Sequence, residues 1–280
     1  MSNPTFPTVG FIGAGKMATA MIQGLLRAGL LPPERVIASD VLPAARQSLH
    51  QATGITVHAT NAPVIAAAEL LVLAVKPQVM AEVLAELRPL VSPKHLLVSV
   101  AAGVTLKQLS DGLGPSCRMV RVMPNTPCLV GAGASGFCLG PNATAADAAL
   151  VEKLLATSGI AFAVPEKLLD AVTGLSASGP AFVAVFIEAL SDGGVRCGLP
   201  RDVANALATQ TVLGSAQLLL QEKLAPVMLK EMVASPGGTT IAGLHALEQG
   251  AFRAAVMNAV KAAADRATEL GQPHTPASPR

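Results

Sequence analysis

The sequence predicts an α/β domain built on a doubly wound parallel sheet over residues 1–164, followed by an all-α domain over residues 165–271. Three observations predict this. Up to Pro165, short apolar runs of β type alternate with helical segments, the pattern of a parallel sheet covered on both faces. A glycine-rich turn separates the first such run from the first helix, within VGFIGAGKMATAMIQGL at 9–25. After Pro165 the strand signals stop, and the periodic segments all read as helix.

In order along the chain, strands are expected at 8–12, 35–38, 70–75, 95–100 and 118–123, with 160–164 closing the first domain. Helices are expected between them at 17–28, 44–51, 79–90, 106–112 and 142–156, the last with Thr144 as its N-cap. The second domain divides into helical segments 166–174, 178–197, 200–222, 226–233 and 240–270, punctuated by GGV, GLP and SPGG. Many of these are apolar on more than one face and need more than one packing partner. A second subunit is therefore expected against this domain; the alternative is a compact monomeric bundle. The tail GQPHTPASPR after Leu270 is Pro-rich and polar, and disorder is expected over 272–280.

Composition sets the outer limits. Of 280 residues, 51% are hydrophobic and 14% charged, which supports a large core and argues against disorder. A net charge of +2 with scattered Lys and Arg gives no electrostatic footprint for nucleic acid, and the absence of Trp and Tyr removes base-stacking surfaces. Cys117, Cys128, Cys138 and Cys197 form no CxxC pair, and the five histidines are far apart. Reduced thiols, no metal site and a cytoplasmic location are expected. MSNPTFPT at the N-terminus lacks the basic and apolar regions of a secretory signal. The uncharged run 171–187 contains Thr173, Ser176, Ser178, Gly179 and Pro180, and reads as a buried core helix rather than a membrane span.

The glycine-rich turn fits two phosphate loops. Gly10, Gly15 and Lys16 match GxxxxGK, but that loop needs Ser or Thr after the Lys for Mg²⁺, and this chain has Met17. Gly13, Gly15 and Ala18 match GxGxxA between a strand and a helix, the context of a Rossmann-like dinucleotide site. Gly13 permits the sharp turn, and Gly15 lets the backbone approach the pyrophosphate. Ala18 allows close packing, and the helix start, with Ala14, Lys16 and Met17, faces the anion. The second strand ends in IASD. Asp40 there suits the adenosine ribose 2′-OH and leans toward NADH, although it lies further from Gly13 than usual; Ser39 and Asn61 tolerate a 2′-phosphate, so NADPH stays open. Asp40 reads equally well as an ordinary turn or capping acid.

Further candidates cluster at strand C-termini: AVKPQ at 74–78, SVAAGVT at 99–105 and RVMPNTP at 121–127. The helical domain adds DAVTGLSASGPAF at 170–182 and SPGGTTIAGLHALEQGAFR at 235–253. Together these motifs resemble the pyrroline-5-carboxylate reductases, from about Val9 to Leu270. The resemblance implies reduction of the imine Δ1-pyrroline-5-carboxylate to L-proline by NADPH or NADH. It also implies a homodimer through the helical domain, often assembled into larger rings of dimers, with the active site between one subunit's dinucleotide domain and helical segments that include the partner's.

By the same resemblance, Ser235, Gly237, Gly238 and Thr239 hold the substrate carboxylate, and Thr240 bonds the ring nitrogen and steers the proton. Ala74, Lys76 and Pro77 border the cofactor, Ala101, Ala102 and Gly103 leave room for the nicotinamide, and Asn125 and Thr126 bond the nicotinamide side or ribose. Ala177 stands where the family commonly has Gly. Read as residues alone, SPGGTT is also an ordinary Pro-Gly turn, Lys76 a solvated loop lysine and Ser178 an N-cap. A β-hydroxyacid or other imine reductase of similar build, and a non-catalytic dinucleotide sensor, are the alternative functions. The helical domain lacks the GxxxKxxxN setting of the hydroxyacid enzymes, and with no Tyr the chain is not a short-chain dehydrogenase.

Overall fold

The computed structural model describes residues 6–271; the tail expected over 272–280 lies outside them. The described chain falls into two compact units, 6–178 with 263–271, and Gly179–Ala262.

The first unit is a single eight-stranded sheet with strand order β3-β2-β1-β4-β5-β6-β7-β8. Its strands are β1 (Val9–Ile12), β2 (Val36–Ser39), β3 (Thr56–His58), β4 (Leu70–Leu73), β5 (Leu96–Ser99), β6 (Arg118–Met123), β7 (Gly133–Leu139) and β8 (Gly159–Ala163). The first six pair in parallel with the order 3-2-1-4-5-6, the doubly wound arrangement whose strand order reverses beside β1. The expected all-parallel sheet needs one correction. β7 runs antiparallel to β6, and β8 runs parallel to β7. The β6–β7 connection is a short turn, Thr126–Val130, too short for a parallel crossover.

Side-chain alternation explains why helices cover both faces. Phe11, Val72, Val98, Val120 and Val122 point to one face. There they meet α1 (Lys16–Arg27), α2 (Pro43–Thr53) and α6 (Ala145–Ala156) through Ile22, Leu25, Leu49, Val151 and Leu154. Ile12, Leu71, Leu73, Leu97 and Met119 point to the other. There they meet α3 (Ala62–Ala67), α4 (Met80–Leu87) and α5 (Leu106–Leu113) through Val64, Leu84, Leu87 and Leu109. Gly10 lets α3 approach: a Cβ there would lie 2.6 Å from Val64 Cγ1. Thr144 caps α6 as expected, in a reciprocal capping box with Asp147.

Beyond β8, α7 (Leu169–Val172) runs into a π-helical turn, Thr173–Ala177, marked by the Ser178 N–H to Thr173 carbonyl bond of 3.0 Å. The helices that follow are α8 (Gly179–Arg196), α9 (Arg201–Gln221), α10 (Pro226–Val233), α11 (Thr239–Gln249) and α12 (Phe252–Gly271). The segment expected as one helix over 240–270 is two, because Ala251 takes φ 52° and breaks the ladder. GGV does not punctuate either; Gly193 and Gly194 lie inside α8.

The helix expected to be buried is open. Glu166–Arg196 is long and apolar enough to cross a membrane by length and composition, yet only 11% of its most apolar window is buried within the chain. Val185, Leu207, Met232 and Met257 stand exposed on α8, α9, α10 and α12. Of the four free cysteines, Cys117, Cys128 and Cys138 are buried and Cys197 is exposed. Burial raises the first three thiols, Cys138 to about 11 with the Glu166 carboxylate adding to the rise, so they stay protonated and unreactive.

Candidate active site

The C-terminal edge of the sheet collects every cofactor candidate on the first unit. Gly13 to Met17 follow β1, Ser39 and Asp40 end β2, Asn61 precedes α3, and Ala74 to Pro77 follow β4. Ala101 to Gly103 follow β5, and Asn125 and Thr126 follow β6. This edge at the strand-order reversal is where open α/β sheets take ligands.

The glycine loop is built by backbone demand. Gly13 has φ +105°, and a Cβ there would lie 2.7 Å from the Ala74 carbonyl oxygen. Its N–H bonds the Ser39 carbonyl at 2.8 Å, and Ala74 N–H bonds the Ile12 carbonyl at 2.8 Å, so the turn is pinned to both neighbouring strands. Gly15 is the N-cap of α1, where no side chain caps the helix. A Cβ on Gly15 meets nothing within 4 Å. An uncapped helix start behind an open glycine fits the pyrophosphate of a dinucleotide.

Asp40 is tied to this loop. Its Oδ2 accepts from the Ala14 N–H at 2.8 Å and its Oδ1 from the Leu42 N–H at 2.8 Å. Beside it the Ser39 hydroxyl donates to Asn61 Oδ1 at 2.7 Å, and Asn61 Nδ2 donates to Glu86 Oε2 at 2.8 Å. Lys16, Lys76, Ala102 and Thr126 are exposed, and Lys76 precedes a short 3₁₀ turn at Pro77–Val79. Asn125 is buried and already engaged: Oδ1 accepts from the Ala134 N–H at 2.9 Å, and Nδ2 donates to the Ser176 carbonyl at 3.1 Å. The Ser176 hydroxyl in turn bonds the Ala134 carbonyl. The TGLSA turn is thus fastened to the ends of β6 and β7, and π-helical turns recur at functional sites.

Ser235 to Thr240 belong to the other unit and form a separate construction. Gly237 has φ +66°, and the Gly238 N–H bonds the Ser235 carbonyl at 3.1 Å. With Pro236 and Gly237 as the central pair, this is a type II turn. It delivers the chain into α11 with Gly238 as N-cap and no side-chain cap. Neither the Ser235 nor the Thr240 hydroxyl is spent on capping, and the first N–H groups of α11 remain for an anion. A Cβ on Gly238 would collide with the Ser235 hydroxyl, so this glycine keeps that hydroxyl in place.

Three charged residues outside the expected set meet in the first unit. Arg121 is 6% exposed, and its guanidinium reaches Glu166 Oε1 at 3.1 Å and Asp170 Oδ1 at 3.4 Å. A buried arginine needs such partners. The signal in the sequence is an arginine in the middle of β6, among Met119, Val120, Val122 and Met123. Among the described residues, no group of three or more His, Cys, Asp or Glu stands in metal-binding arrangement.

Known proteins match this chain along nearly its whole length. The family model "Pyrroline-5-carboxylate reductase dimerisation" matches residues 166–270, and "NADP oxidoreductase coenzyme F420-dependent" matches residues 8–103. The pyrroline-5-carboxylate reductase of Pisum sativum is 49% identical over 263 residues, 94% of this chain and 96% of that one. A solved pyrroline-5-carboxylate reductase from Coxiella burnetii superposes with a TM-score of 0.91 at 33% identity, covering 96% of this chain and 100% of that one. The Plasmodium falciparum pyrroline carboxylate reductase, solved with NADP bound, gives 0.86 at 32% identity with 96% and 100% coverage. The chain belongs to the pyrroline-5-carboxylate reductase family, a homo-oligomeric NAD(P)H-dependent oxidoreductase that reduces Δ1-pyrroline-5-carboxylate to L-proline in proline biosynthesis.

Proposed function

We propose that the two constructions divide the reaction: the sheet edge from Gly13 to Thr126 holds the dinucleotide, and the Ser235–Thr240 turn holds the substrate. The observation that carries this is that two glycine turns each deliver the chain into a helix with glycine as its N-cap, Gly15 at α1 and Gly238 at α11. Each suits the anionic end of one reactant, pyrophosphate for the first and carboxylate for the second.

A protonated cyclic imine is already a strong electrophile, so the protein's work is positioning and electrostatics. The nicotinamide, when bound, supplies the hydride. Gly13, Ala14, Gly15, Lys16 and Met17 hold the pyrophosphate side. Ser39, Asp40 and Asn61 take the adenosine ribose, with Asp40 favouring NADH. Ala74, Lys76 and Pro77 border the cofactor, Ala101 to Gly103 receive the nicotinamide ring, and Thr126 with the second side-chain N–H of Asn125 bonds its side. The N–H groups after Gly237, with the Ser235 hydroxyl, hold the carboxylate. Thr240 donates to or accepts from the ring nitrogen, fixing where its proton sits.

The functional boundary lies at Pro165, with 1–164 binding the dinucleotide and 165–271 serving the substrate and the dimer. Dimers close into a larger ring. Scattered charge and the buried, protonated thiols of Cys117, Cys128 and Cys138 support a cytoplasmic enzyme that works without nucleic acid or membrane.

The test is oxidation of NADH and NADPH at 340 nm with racemic pyrroline-5-carboxylate, in wild type and Thr240→Ala. The variant is expected to lose turnover by about 10²-fold, the scale of a positioned proton-handling group, with its cofactor KM unchanged. Wild-type turnover in the variant removes Thr240 from the proton path.

A further inference from the structure

The loop joining β5 to α5 is held from three sides, and one of them is the end of the last helix. At the loop's start, the Ala101 N–H lies 3.4 Å from the Ser99 hydroxyl, and the Val104 N–H reaches the Ala101 carbonyl at 3.4 Å. At its end, Thr105 and Gln108 form the capping box of α5, and Glu166 Oε1 accepts from the Leu106 N–H at 2.8 Å. The third side is the terminal turn of α12. A Cβ placed on Gly103 would lie 3.6 Å from Leu270 Cβ, and one placed on Gly271 would lie 3.4 Å from the Gly103 carbonyl oxygen. The Thr268 hydroxyl lies 3.0 Å from Asp170 Oδ2 and 3.2 Å from the Ala264 carbonyl. Asp170 pairs with Arg121, and Arg121 with Glu166. Polar contacts therefore run from the helix end through Asp170, Arg121 and Glu166 to the far end of the same loop.

Gly103 holds φ +76°, a region where a glycine has conformations to escape to. No strand ladder restrains Ala101 to Gly103, since β5 ends at Ser99. What presses on the outside of the loop then sets how often it adopts one shape.

We propose that the terminal turn of α12, Thr268 to Gly271, is a brace that keeps the Ala101–Gly103 loop in the conformation that receives the nicotinamide end of the dinucleotide. Thr268 and Leu270 are its positioning residues. The proposal rests on the assignment of that loop to the cofactor. A protein whose competent state is only partly populated binds its ligand more weakly by that fraction. Loss of the brace therefore weakens cofactor binding and spares turnover once the cofactor saturates.

The test uses the full chain carrying Thr268→Val with Leu270→Gly. Leu270 is 55% exposed, so the pair leaves the core intact. Three quantities are read: amide hydrogen exchange of Ala102 and Gly103 without cofactor, the Kd of NADH from its own fluorescence, and KM against kcat. Exchange is expected to quicken, and Kd and KM to rise about fivefold if the loop is competent a fifth of the time. kcat at saturating NADH stays unchanged, and Thr268→Ser alone, which retains the hydroxyl, behaves as wild type. Ala102→Asp serves as the second variant, since it obstructs the loop directly. If it raises the Kd while the double variant changes neither Kd nor exchange, the brace is overturned and the cofactor assignment stands. A double variant that loses kcat with Kd unchanged overturns the brace as well. If Ala102→Asp leaves the Kd unchanged, the loop does not meet the cofactor, and both readings fall.

Discussion

Asp40 spends each carboxylate oxygen on a backbone N–H, one from the glycine loop and one from its own turn, and each oxygen keeps a lone pair for a further donor. The Ser39 proton goes to Asn61, and one Asn61 N–H goes to Glu86. In the reading proposed above Asp40 takes a ribose hydroxyl here, beside the Arg46 guanidinium, which donates to the Asp40 and Val41 carbonyls at 2.9 and 3.0 Å. Asp40→Ser is therefore expected to move the NADPH-to-NADH ratio of kcat/KM upward by about tenfold, roughly 1.4 kcal/mol; an unchanged ratio removes Asp40 from the ribose site. His95 shows a second residue-level device, on stability. It is 1% exposed, its Nδ1 accepts from the Ser92 N–H at 2.9 Å, and its Nε2 lies 3.2 Å from the Ile65 carbonyl. The neutral ring satisfies both contacts. Burial, opposed by its hydrogen bonds and helped by Lys94 and Arg118, holds its pKa below the ordinary 6.5. The unfolded chain then binds the proton more readily, so stability is present above pH 6.5 and is lost below it. Unfolding free energies from denaturant titrations between pH 8 and pH 5 should fall at up to about 1.4 kcal/mol per pH unit below 6.5, and His95→Gln should flatten that part of the slope. An equal slope in the variant assigns the loss to other groups.

Elements whose local chemistry and tertiary role agree are legible in the sequence alone. β1, α1, β4, β5 and β6 combine β-branched or leucine-rich runs with clear flanking breaks, and Thr144 announces its own helix. β3 was not legible because TVH is three residues long, too short for a period to show. β7 was not, because GASGFCL mixes glycine and serine into a run that reads as loop. Its strand state comes from β6 and β8 on either side. α3 carries Pro63 in its first turn and spans six residues. The split between α11 and α12 falls at Gly250, the C-cap of α11, and Ala251 at φ 52°; Gly250 is a stop signal that a single helix over 240–270 runs through. At the site the same division holds. Gly13, Gly237 and Gly238 are readable because each meets a conformational or steric demand that few other residues meet, and Gly15 because it completes the GxGxxA pattern. Arg121, Glu166, Asp170 and Thr268 are not, because their meeting depends on residues up to 98 positions apart.

At the scale of the whole molecule, the helical region is unfinished as one chain. Val185 is 65% exposed on α8, Leu207 53% on α9, Met232 66% on α10 and Met257 71% on α12. Exposed apolar area of this extent marks an interaction surface, and the family match that spans residues 166–270 is a dimerisation match. Glu166–Arg196 is long and apolar enough to span a membrane, yet within it the Ser176 hydroxyl bonds the Ala134 carbonyl of β7 and Asp192 pairs with Arg201 at 2.6 Å. A partner subunit that covers these side chains makes the folded state depend on concentration. The melting temperature is therefore expected to rise as protein concentration is raised, and light scattering to give a mass of at least two chains. Val185→Glu puts a charge into the covered surface, where an unpaired charge is costly. It should shift the protein toward monomer and abolish concentration dependence in the melting temperature. Activity should fall with it, because the turn proposed to hold the substrate, Ser235–Thr240, lies in the same helical unit. A Val185→Glu protein of wild-type mass would place the dimer on another face, and a fully active monomer would show that one chain completes the site alone.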